Sequence, residues 1–264
     1  MDDIEDKNMT VIRGKDVKIG KNVTIDVDYL ELGDRTVIND NAHLEGRRIT
    51  LGKECWIDQY AHIGGGSCHD GSLVAGDWLH MGRFSHINTA RDVRVGDECG
   101  IGINTKLFTH GAYTSVMDGF PVEFGKITLG NRVWIPNAIV LPGVTIGDNV
   151  VVSAMSLVNR DLPEGCLAGG VPVRVLKEDV YPKPRKDEEM KELFTRIGRD
   201  CGVEVDVEFS DDFRGIRVDN SAFMPEQKLI YGDATTESEL YRNQLRRNGI
   251  RFKAYPEAGR YIRW

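Results

Sequence analysis

The sequence predicts an all-β solenoid followed by a small α+β domain. The first observation is a six-residue period between Leu129 and Lys177, with one five-residue step at LPGVT. The second is that Gly, Asp and Asn separate the aliphatic residues there, and Gly and Pro are poor helix formers. The third is that the period ends near residue 180. A short fixed period favours short strands joined by tight turns, stacked coil upon coil with aliphatic side chains inward.

The repeat units each begin at a residue that we expect to point inward. In the regular stretch these residues are Leu129, Ile135, Leu141, Ile146, Val152 and Val158. An earlier series runs through Leu51, Ile57, Ile63, His69, Ala75, Met81 and Ile87. Because His69 and Ala75 are poor core residues and follow the run Gly64–Gly66, we expect a bulge or loop that shifts the register there.

The period breaks after His110, where residues 111–126 read GAYTSVMDGFPVEFGK. This stretch is too long for a solenoid corner, and it carries Tyr113, Asp118, Phe120 and Phe124. Long excursions from a repeat scaffold are usually functional or disordered. We therefore expect an external loop next to a functional site, with plain surface decoration as the alternative.

The C-terminal part, residues 179–264, differs in composition from the repeats. Prolines and charges lead into a predicted amphipathic helix, and VEVDVEF, GIRVDN and KLIYGDA are predicted strands. A second helix is predicted to begin at a capping box of Thr236 with Glu239 and to end at Gly249. RFKAYP is the last predicted strand. No motif in this part points to chemistry.

Composition excludes some classes of function. The formal net charge of −7 argues against a nucleic-acid-binding protein. No apolar run reaches membrane-spanning length. The acidic first ten residues do not resemble a signal peptide, and the five scattered cysteines predict reduced thiols. We therefore expect a cytoplasmic protein without a membrane span.

The run LPGVTIGDN, followed by VSAMSLVNRD and VPVRVLK, resembles the hexapeptide-repeat acyltransferases. The pattern is nearest to the sugar O-acetyltransferases of the galactoside and maltose type. The resemblance is dense over 129–177 and looser over 12–110. It implies a left-handed parallel β-helix over 1–178, with 179–264 as an extension. It also implies a homotrimer in which the external loop folds over a neighbouring active site.

The resemblance also implies an acetyl group moving from acetyl-CoA to a hydroxyl or amine of a sugar or nucleotide-linked sugar, in polysaccharide biosynthesis. The acceptor is itself the nucleophile, which agrees with the absence of a GxSxG motif. His110 falls on the catalytic histidine of the family, and imidazole suits a general base. Asn88 and Asp92 fall on or near substrate-contacting positions. His86 stands where the family usually has a substrate-binding Asn.

The same resemblance assigns the cofactor site. It implies that backbone amides at Asn137, three residues after Trp134, and at Ala154 contact the oxyanion and thioester, with the pantetheine arm along coils 129–160. Packing at a trimer seam is the alternative for Trp134. Ser153 and Ala154 stand in a unit where the family has a glycine-rich GAG. Cations suit the phosphates of coenzyme A, and the residues at the matching positions are Asn159, Arg160, Arg174 and Lys177. The transfer requires no metal, and we expect none.

Two other kinds of function stay open from the sequence. One is a β-helix scaffold without catalysis. The other is a zinc enzyme like the γ-class carbonic anhydrases, because His62 and His80 are 18 residues apart and are predicted to stack one coil apart, with His43 joining them. A polar ladder or trimer contacts would explain the same histidines.

Overall fold

The computed structural model describes residues 9–65 and 70–252. The chain divides into two compact units, Met1–Pro182 and Lys183–Trp264. Each unit has its own hydrophobic core. The predicted division after residue 178 stays a prediction.

The first unit is a β-helix with three faces, named A, B and C, each formed by strands of successive coils. The chain passes through faces B, C and A in turn. Face B contains β2 (Lys18–Ile19), β4 (Val37–Ile38), β6 (Trp56–Ile57), β9 (His80–Met81), β12 (Gly100–Ile101), β17 (Trp134–Ile135), β20 (Val151–Val152), β22 (Leu167–Gly169) and β23 (Arg174–Lys177). Face C contains the first halves of β3 (Thr24–Leu32) and β5 (His43–Leu51), then β7 (His62–Ile63), β10 (His86–Ile87), β13 (Lys106–Leu107), β18 (Ala138–Val140) and β21 (Ser156–Val158). Face A contains β1 (Thr10–Arg13), the second halves of β3 and β5, then β8 (Ser72–Ala75), β11 (Val93–Val95), β16 (Ile127–Leu129) and β19 (Thr145–Ile146).

Strands of successive coils pair in parallel, whereas β22 and β23 form an antiparallel pair. The inward residues form one continuous core, as the period predicts. One register differs from the prediction: Val140 is buried and Leu141 is half-buried. The five-residue step therefore lies between Ile135 and Val140, because only Pro136 and Asn137 separate β17 from β18.

The corner that leads from face A to face B explains the recurring Gly-Asp and Gly-Asn pairs. At this corner an acidic or amide side chain accepts a hydrogen bond from the backbone of the preceding coil. Asp34 Oδ1 accepts from the Lys15 N–H at 2.8 Å, and Asn131 Oδ1 accepts from the Asp97 N–H at 2.9 Å. The preceding glycine leaves room for this contact, since a Cβ at Gly96 would lie 2.6 Å from Asn131 Oδ1. Stacked coils can therefore approach closely at this corner.

The external loop forms a short antiparallel ribbon. Strand β14 (His110–Gly111) pairs with β15 (Glu123–Phe124), and a single 3₁₀ turn spans Val116–Asp118. All residues from 111 to 124 are exposed. Met117 is 92% exposed and Tyr113 fully so. The loop therefore leaves much of its apolar surface uncovered within this chain.

The second unit is a four-stranded antiparallel sheet with two helices. Its elements are α1 (Asp187–Cys201), β24 (Asp206–Phe209), β25 (Arg214–Val218), β26 (Ser221–Met224), β27 (Leu229–Gly232) and α2 (Thr236–Arg247). The predicted capping box at Thr236 is wrong by one residue, because Thr235 and Ser238 form it. Strand β26 was not predicted from the sequence. RFKAYP falls largely outside the described residues, and its described part is not a strand.

The predicted fold class is confirmed: a parallel β-helix of short repeats with an external loop and a small α+β part. Within the described residues, no helix is both long and apolar enough to span a bilayer.

Candidate active site

The corner between faces C and A brings most of the predicted acceptor-side residues together. His86 lies in the outward column of face C, between His62 and Lys106, and Asn88 follows it at the corner. His110 lies at the same corner one coil later, because β10 and β13 pair directly. Asp92 comes just before β11 on face A. The external loop leaves the helix at this corner, next to His110.

Asn88 orients the imidazole of His110. His110 Nδ1 lies 2.9 Å from Asn88 Oδ1. The backbone N–H of Ala90 donates to the same oxygen at 3.2 Å, so this atom is the carbonyl oxygen of the amide and not its nitrogen. A carbonyl oxygen only accepts, and His110 must therefore carry its proton on Nδ1. In the neutral ring Nε2 then has the lone pair, and no hydrogen bond from the described residues reaches it.

Thr109 and Arg91 complete this corner and were not singled out from the sequence. The Thr109 hydroxyl lies 2.6 Å from Asn88 Oδ1 and 3.1 Å from the Asn88 carbonyl oxygen, and it accepts from the Arg91 N–H at 3.1 Å. Asn88 and Thr109 are 4% and 0% exposed. Burial in a closed hydrogen-bond network fixes both side chains. The only sequence signal for Thr109 is its position immediately before His110.

Phe124 links the external loop to the same corner. Its ring stacks on His110 with centroids 5.8 Å apart and planes inclined by 17°. The guanidinium of Arg91 lies 4.4 Å from the same ring. The antiparallel pairing of His110 with Phe124 sets this contact. The loop therefore forms one wall beside the imidazole.

His86 and Asp92 have structural partners as well as predicted roles. His86 Nε2 lies 3.0 Å from the Gly64 carbonyl oxygen, and its ring stacks on His62. Burial lowers the pKa of His86, opposed in part by the bond to Gly64. Asp92 Oδ1 accepts from the Ser72 N–H at 2.9 Å, while its side chain remains 53% exposed. Asp92 can therefore still meet a ligand.

A charged groove of about 440 Å³ adjoins Asp92 on face A. Arg47, Arg48 and Arg94 supply positive charge, and Arg48 lies over the Tyr29 ring at 4.3 Å. Groups of both signs beside an aromatic ring can bind a polar, hydroxyl-rich molecule.

The residues predicted for the cofactor lie in the last coils. The Trp134 ring covers Gly100, where a Cβ would collide with ring carbons, and it is 44% exposed. Asn137 stands at the corner between faces B and C, and its carbonyl oxygen accepts from the Met155 N–H at 2.7 Å. This bond stacks the turn of Ser153 and Ala154 on the corner of Asn137. Ala154 is an exposed residue, and its backbone N–H has no hydrogen-bond partner in the described part of the chain.

The predicted cations do not all share one corner. Asn159 and Arg160 follow β21, at the corner between faces C and A. Arg174 and Lys177 lie on the last strand, β23, which pairs with β22 on face B. All four residues are exposed. They remain predictions as phosphate ligands.

The predicted stacking of His62 on His80 is wrong. His62 pairs with His43 on one side and His86 on the other, in the outward column of face C. His80 lies on face B between Trp56 and Gly100, and its Nε2 is 3.2 Å from Asp58 Oδ2. The reason is that the coil from His62 to His86 takes 24 residues (86 − 62) and contains the insertion after Gly64.

The described cysteines offer no activated nucleophile in the core. Burial raises the pKa of Cys55 to about 12 and that of Cys99 to about 11. Both thiols point to backbone carbonyl oxygens. Such buried thiols are inert at neutral pH.

The chain matches the family model "Bacterial transferase hexapeptide (six repeats)" over residues 126–160. It is 34% identical over 138 residues to galactoside O-acetyltransferase of Escherichia coli (strain K12), covering 49% of this chain and 63% of the relative. It is 30% identical over 137 residues to galactoside O-acetyltransferase of Lactococcus lactis subsp. lactis (strain IL1403), covering 48% and 62%. The chain thus spans less than two thirds of the length of either relative.

Among solved structures, a maltose O-acetyltransferase from Clostridium difficile 630 matches with a TM-score of 0.34 and 22% identity, covering 62% of this chain and 67% of that one. The chain thus carries the bacterial transferase hexapeptide repeat over residues 126–160 and is similar in sequence to galactoside O-acetyltransferases.

Proposed function

We propose that this protein transfers an acetyl group from acetyl-CoA to a hydroxyl, or an amine, of a sugar or nucleotide-linked sugar. The single observation that carries the proposal is the orientation of His110. Its Nδ1 proton is held by Asn88 Oδ1 at 2.9 Å, so in the neutral imidazole the lone pair is on Nε2, at a half-buried corner. This is the state that a general base requires.

In the proposed reaction Nε2 of His110 takes the proton of the acceptor while the acceptor oxygen or nitrogen attacks the thioester carbonyl. The tetrahedral oxyanion then collapses and expels the sulfur of coenzyme A, which receives that proton from the imidazolium. The products are the acetylated sugar and free coenzyme A thiol. No enzyme nucleophile is used, which agrees with the raised pKa values of the buried cysteines.

The Asn88 carbonyl supports this cycle at its charged stage. A hydrogen bond to an ionised group is stronger than one between neutral groups. The bond from Nδ1–H therefore strengthens as the imidazolium forms. Asn88 acts on the reaction through His110 in this scheme, and its side-chain NH₂ is left for the acceptor.

Acetyl-CoA is proposed to lie along the last coils. The pantetheine arm would pass Trp134 and Asn137, and the backbone N–H of the exposed Ala154, beside Ser153, would donate to it. The phosphates would meet Asn159, Arg160, Arg174 and Lys177, which are exposed and largely cationic. Charge-assisted contacts to phosphate favour this end of the cofactor.

A homotrimer is proposed because one convex β-helix has no deep cleft for two substrates. The external loop supports this proposal. Its exposed Tyr113, Met117 and Phe120 would be covered by a neighbouring subunit. His86, Asn88 and Asp92 are the proposed acceptor contacts, with the charged groove beside Asp92 extending that site. Cell-surface polysaccharide synthesis is the proposed setting.

The test is release of coenzyme A thiol from acetyl-CoA over a panel of sugars, nucleotide sugars and amino sugars. We expect acceptor-dependent release, and a loss of about 10²–10⁴ in rate for His110→Ala. His80→Ala is the matched control, because His80 lies on face B and should leave the rate unchanged. Failure to release thiol with any acceptor, together with no binding of acetyl-CoA by calorimetry, would favour a non-catalytic scaffold.

A further inference from the structure

The outward column of face C contains two imidazoles that converge on one carboxylate. His43 Nε2 lies 3.0 Å from Glu45 Oε2, and His62 Nε2 lies 3.3 Å from Glu45 Oε1. The ligand atoms of all three residues lie within 4.8 Å of one another. The rings of His43 and His62 are 4.8 Å apart and nearly perpendicular. Both imidazoles therefore direct their Nε2 atoms to the Glu45 carboxylate.

The backbone holds these three groups in place before any ligand arrives. His43 and His62 are paired residues of β5 and β7, so the strand spacing sets the distance between them. Glu45 stands two residues after His43 on the same strand and points to the same face. Its side chain lies across Gly64, where an added Cβ would collide with Glu45 Cγ. A side chain at Gly64 would displace the carboxylate.

The donor set is that of a divalent transition metal. Two imidazole nitrogens and one carboxylate form a common zinc site, with bonds of about 2.0–2.2 Å. Bonds of that length place tetrahedral ligand atoms roughly 3.3 Å apart. Each imidazole Nε2 already lies about this far from one oxygen of the carboxylate, 3.0 Å from Oε2 for His43 and 3.3 Å from Oε1 for His62, and the ligand atoms of the three residues lie within 4.8 Å of one another. Small side-chain rotations would therefore convert the hydrogen bonds into metal bonds.

The solvent exposure of these side chains and the contacts of the neighbouring His86 are both consistent with a site of three protein ligands. The side chains of His43 and His62 are 39% and 37% exposed, while Glu45 is 17% exposed. An ion can enter from solvent and keep a water as its fourth ligand. His86 stacks on His62, with centroids 4.5 Å apart, but its Nε2 is bonded to the Gly64 carbonyl oxygen. It is therefore not a ligand in this arrangement.

We propose that His43, Glu45 and His62 bind a divalent transition-metal ion such as Zn²⁺. The ion joins β5 to β7 and so fastens two successive coils beside the insertion that follows Gly64. The proposed acetyl transfer does not use this ion. The site can therefore exist even if the proposed activity fails, and the reverse also holds.

The experiment is a titration of the metal-stripped full-length protein with Co²⁺ and with Zn²⁺. We expect about one ion per chain, the visible absorption of Co²⁺ bound by nitrogen and oxygen ligands in a tetrahedral field, and a higher unfolding temperature with Zn²⁺. Glu45→Gln and His62→Gln should weaken binding by more than about 10- to 100-fold, the loss caused by removing an outer-shell partner alone. Far-ultraviolet circular dichroism checks that each variant is folded.

The matched control is His80→Gln, which removes a histidine with a single carboxylate partner, Asp58 at 3.2 Å. This variant should bind the ion as the native protein does. Gly64→Ala leaves all three ligands present but displaces Glu45, and it should also weaken binding. No ion bound by the native protein, binding that persists in His62→Gln, or an equal loss in His80→Gln would each overturn the proposal.

Discussion

Replacing Asn88 by Ala tests the link between the corner network and the proposed base. The change removes the oxygen that accepts from His110 Nδ1, the Ala90 N–H and the Thr109 hydroxyl. Thr109 can still donate to the carbonyl oxygen of residue 88, which lies 3.1 Å away. The buried Ala90 N–H and the imidazole of His110 lose their acceptor.

The magnitudes follow from these lost bonds. A hydrogen bond to a charged group contributes about 1.5–3 kcal/mol and a neutral one about 0.5–1.5. The differential stabilisation of the imidazolium is therefore about 1–1.5 kcal/mol, or roughly a 5- to 15-fold loss in kcat. Rotation of the released ring adds to this, up to the about 10²–10⁴ expected for loss of the base itself. The unsatisfied Ala90 N–H should cost about 1–3 kcal/mol of unfolding free energy.

The assay combines thiol-release kinetics over a pH series with thermal unfolding. Asn88→Asp is the informative partner, because a carboxylate keeps the acceptor and stabilises the imidazolium. It should retain the imidazole orientation and move the acid limb of the rate profile to higher pH. Asn39→Ala is the matched control: Asn39 is another corner asparagine, itself half-buried, and its amide donates to the Ile57 carbonyl oxygen at 3.1 Å. It should affect stability without affecting kcat.

One result would refute this reasoning. If Asn88→Ala is folded and keeps the native kcat, the tautomer held by Asn88 does not matter to the reaction. A loss of the same size in Asn39→Ala would show that the rate simply follows stability.

Three further predictions test other parts of the protein. Arg174→Glu should raise the KM for acetyl-CoA several-fold with little change for the acceptor, because it places a carboxylate at the proposed phosphate site; an unchanged KM would contradict that proposal. Tyr241→Phe should lower the unfolding free energy of the C-terminal unit by about 0.5–1.5 kcal/mol, since the buried hydroxyl donates to the Phe194 carbonyl oxygen at 3.1 Å; chemical denaturation measures it. Cys55 and Cys99, with pKa values of about 12 and 11, should resist iodoacetamide at pH 8 until the protein unfolds, because burial in the folded core keeps the thiols protonated. Rapid labelling of the native protein, read by mass spectrometry, would disprove this.

The repeat period determined the β-helix, because one inward aliphatic residue per short strand permits little else. Inward residues such as Ile135 and Val152 were predicted directly. The external loop was equally visible, since sixteen residues without the period (126 − 111 + 1) exceed any corner of this fold. His110 could be proposed from the resemblance, but its tautomer could not.

The tertiary structure decided what depends on coil length and pairing. The six-residue period cannot say which face receives a side chain once an insertion intervenes. His80 therefore lies on face B, and His86 occupies the position next to His62 that was predicted for His80. Thr109 gained its role through contact with Asn88, 21 residues away along the chain. The carboxylate of Glu45 met two imidazoles only because β5 and β7 are paired. Contacts between coils arise from strand register, and a single sequence constrains that register only where its period is unbroken.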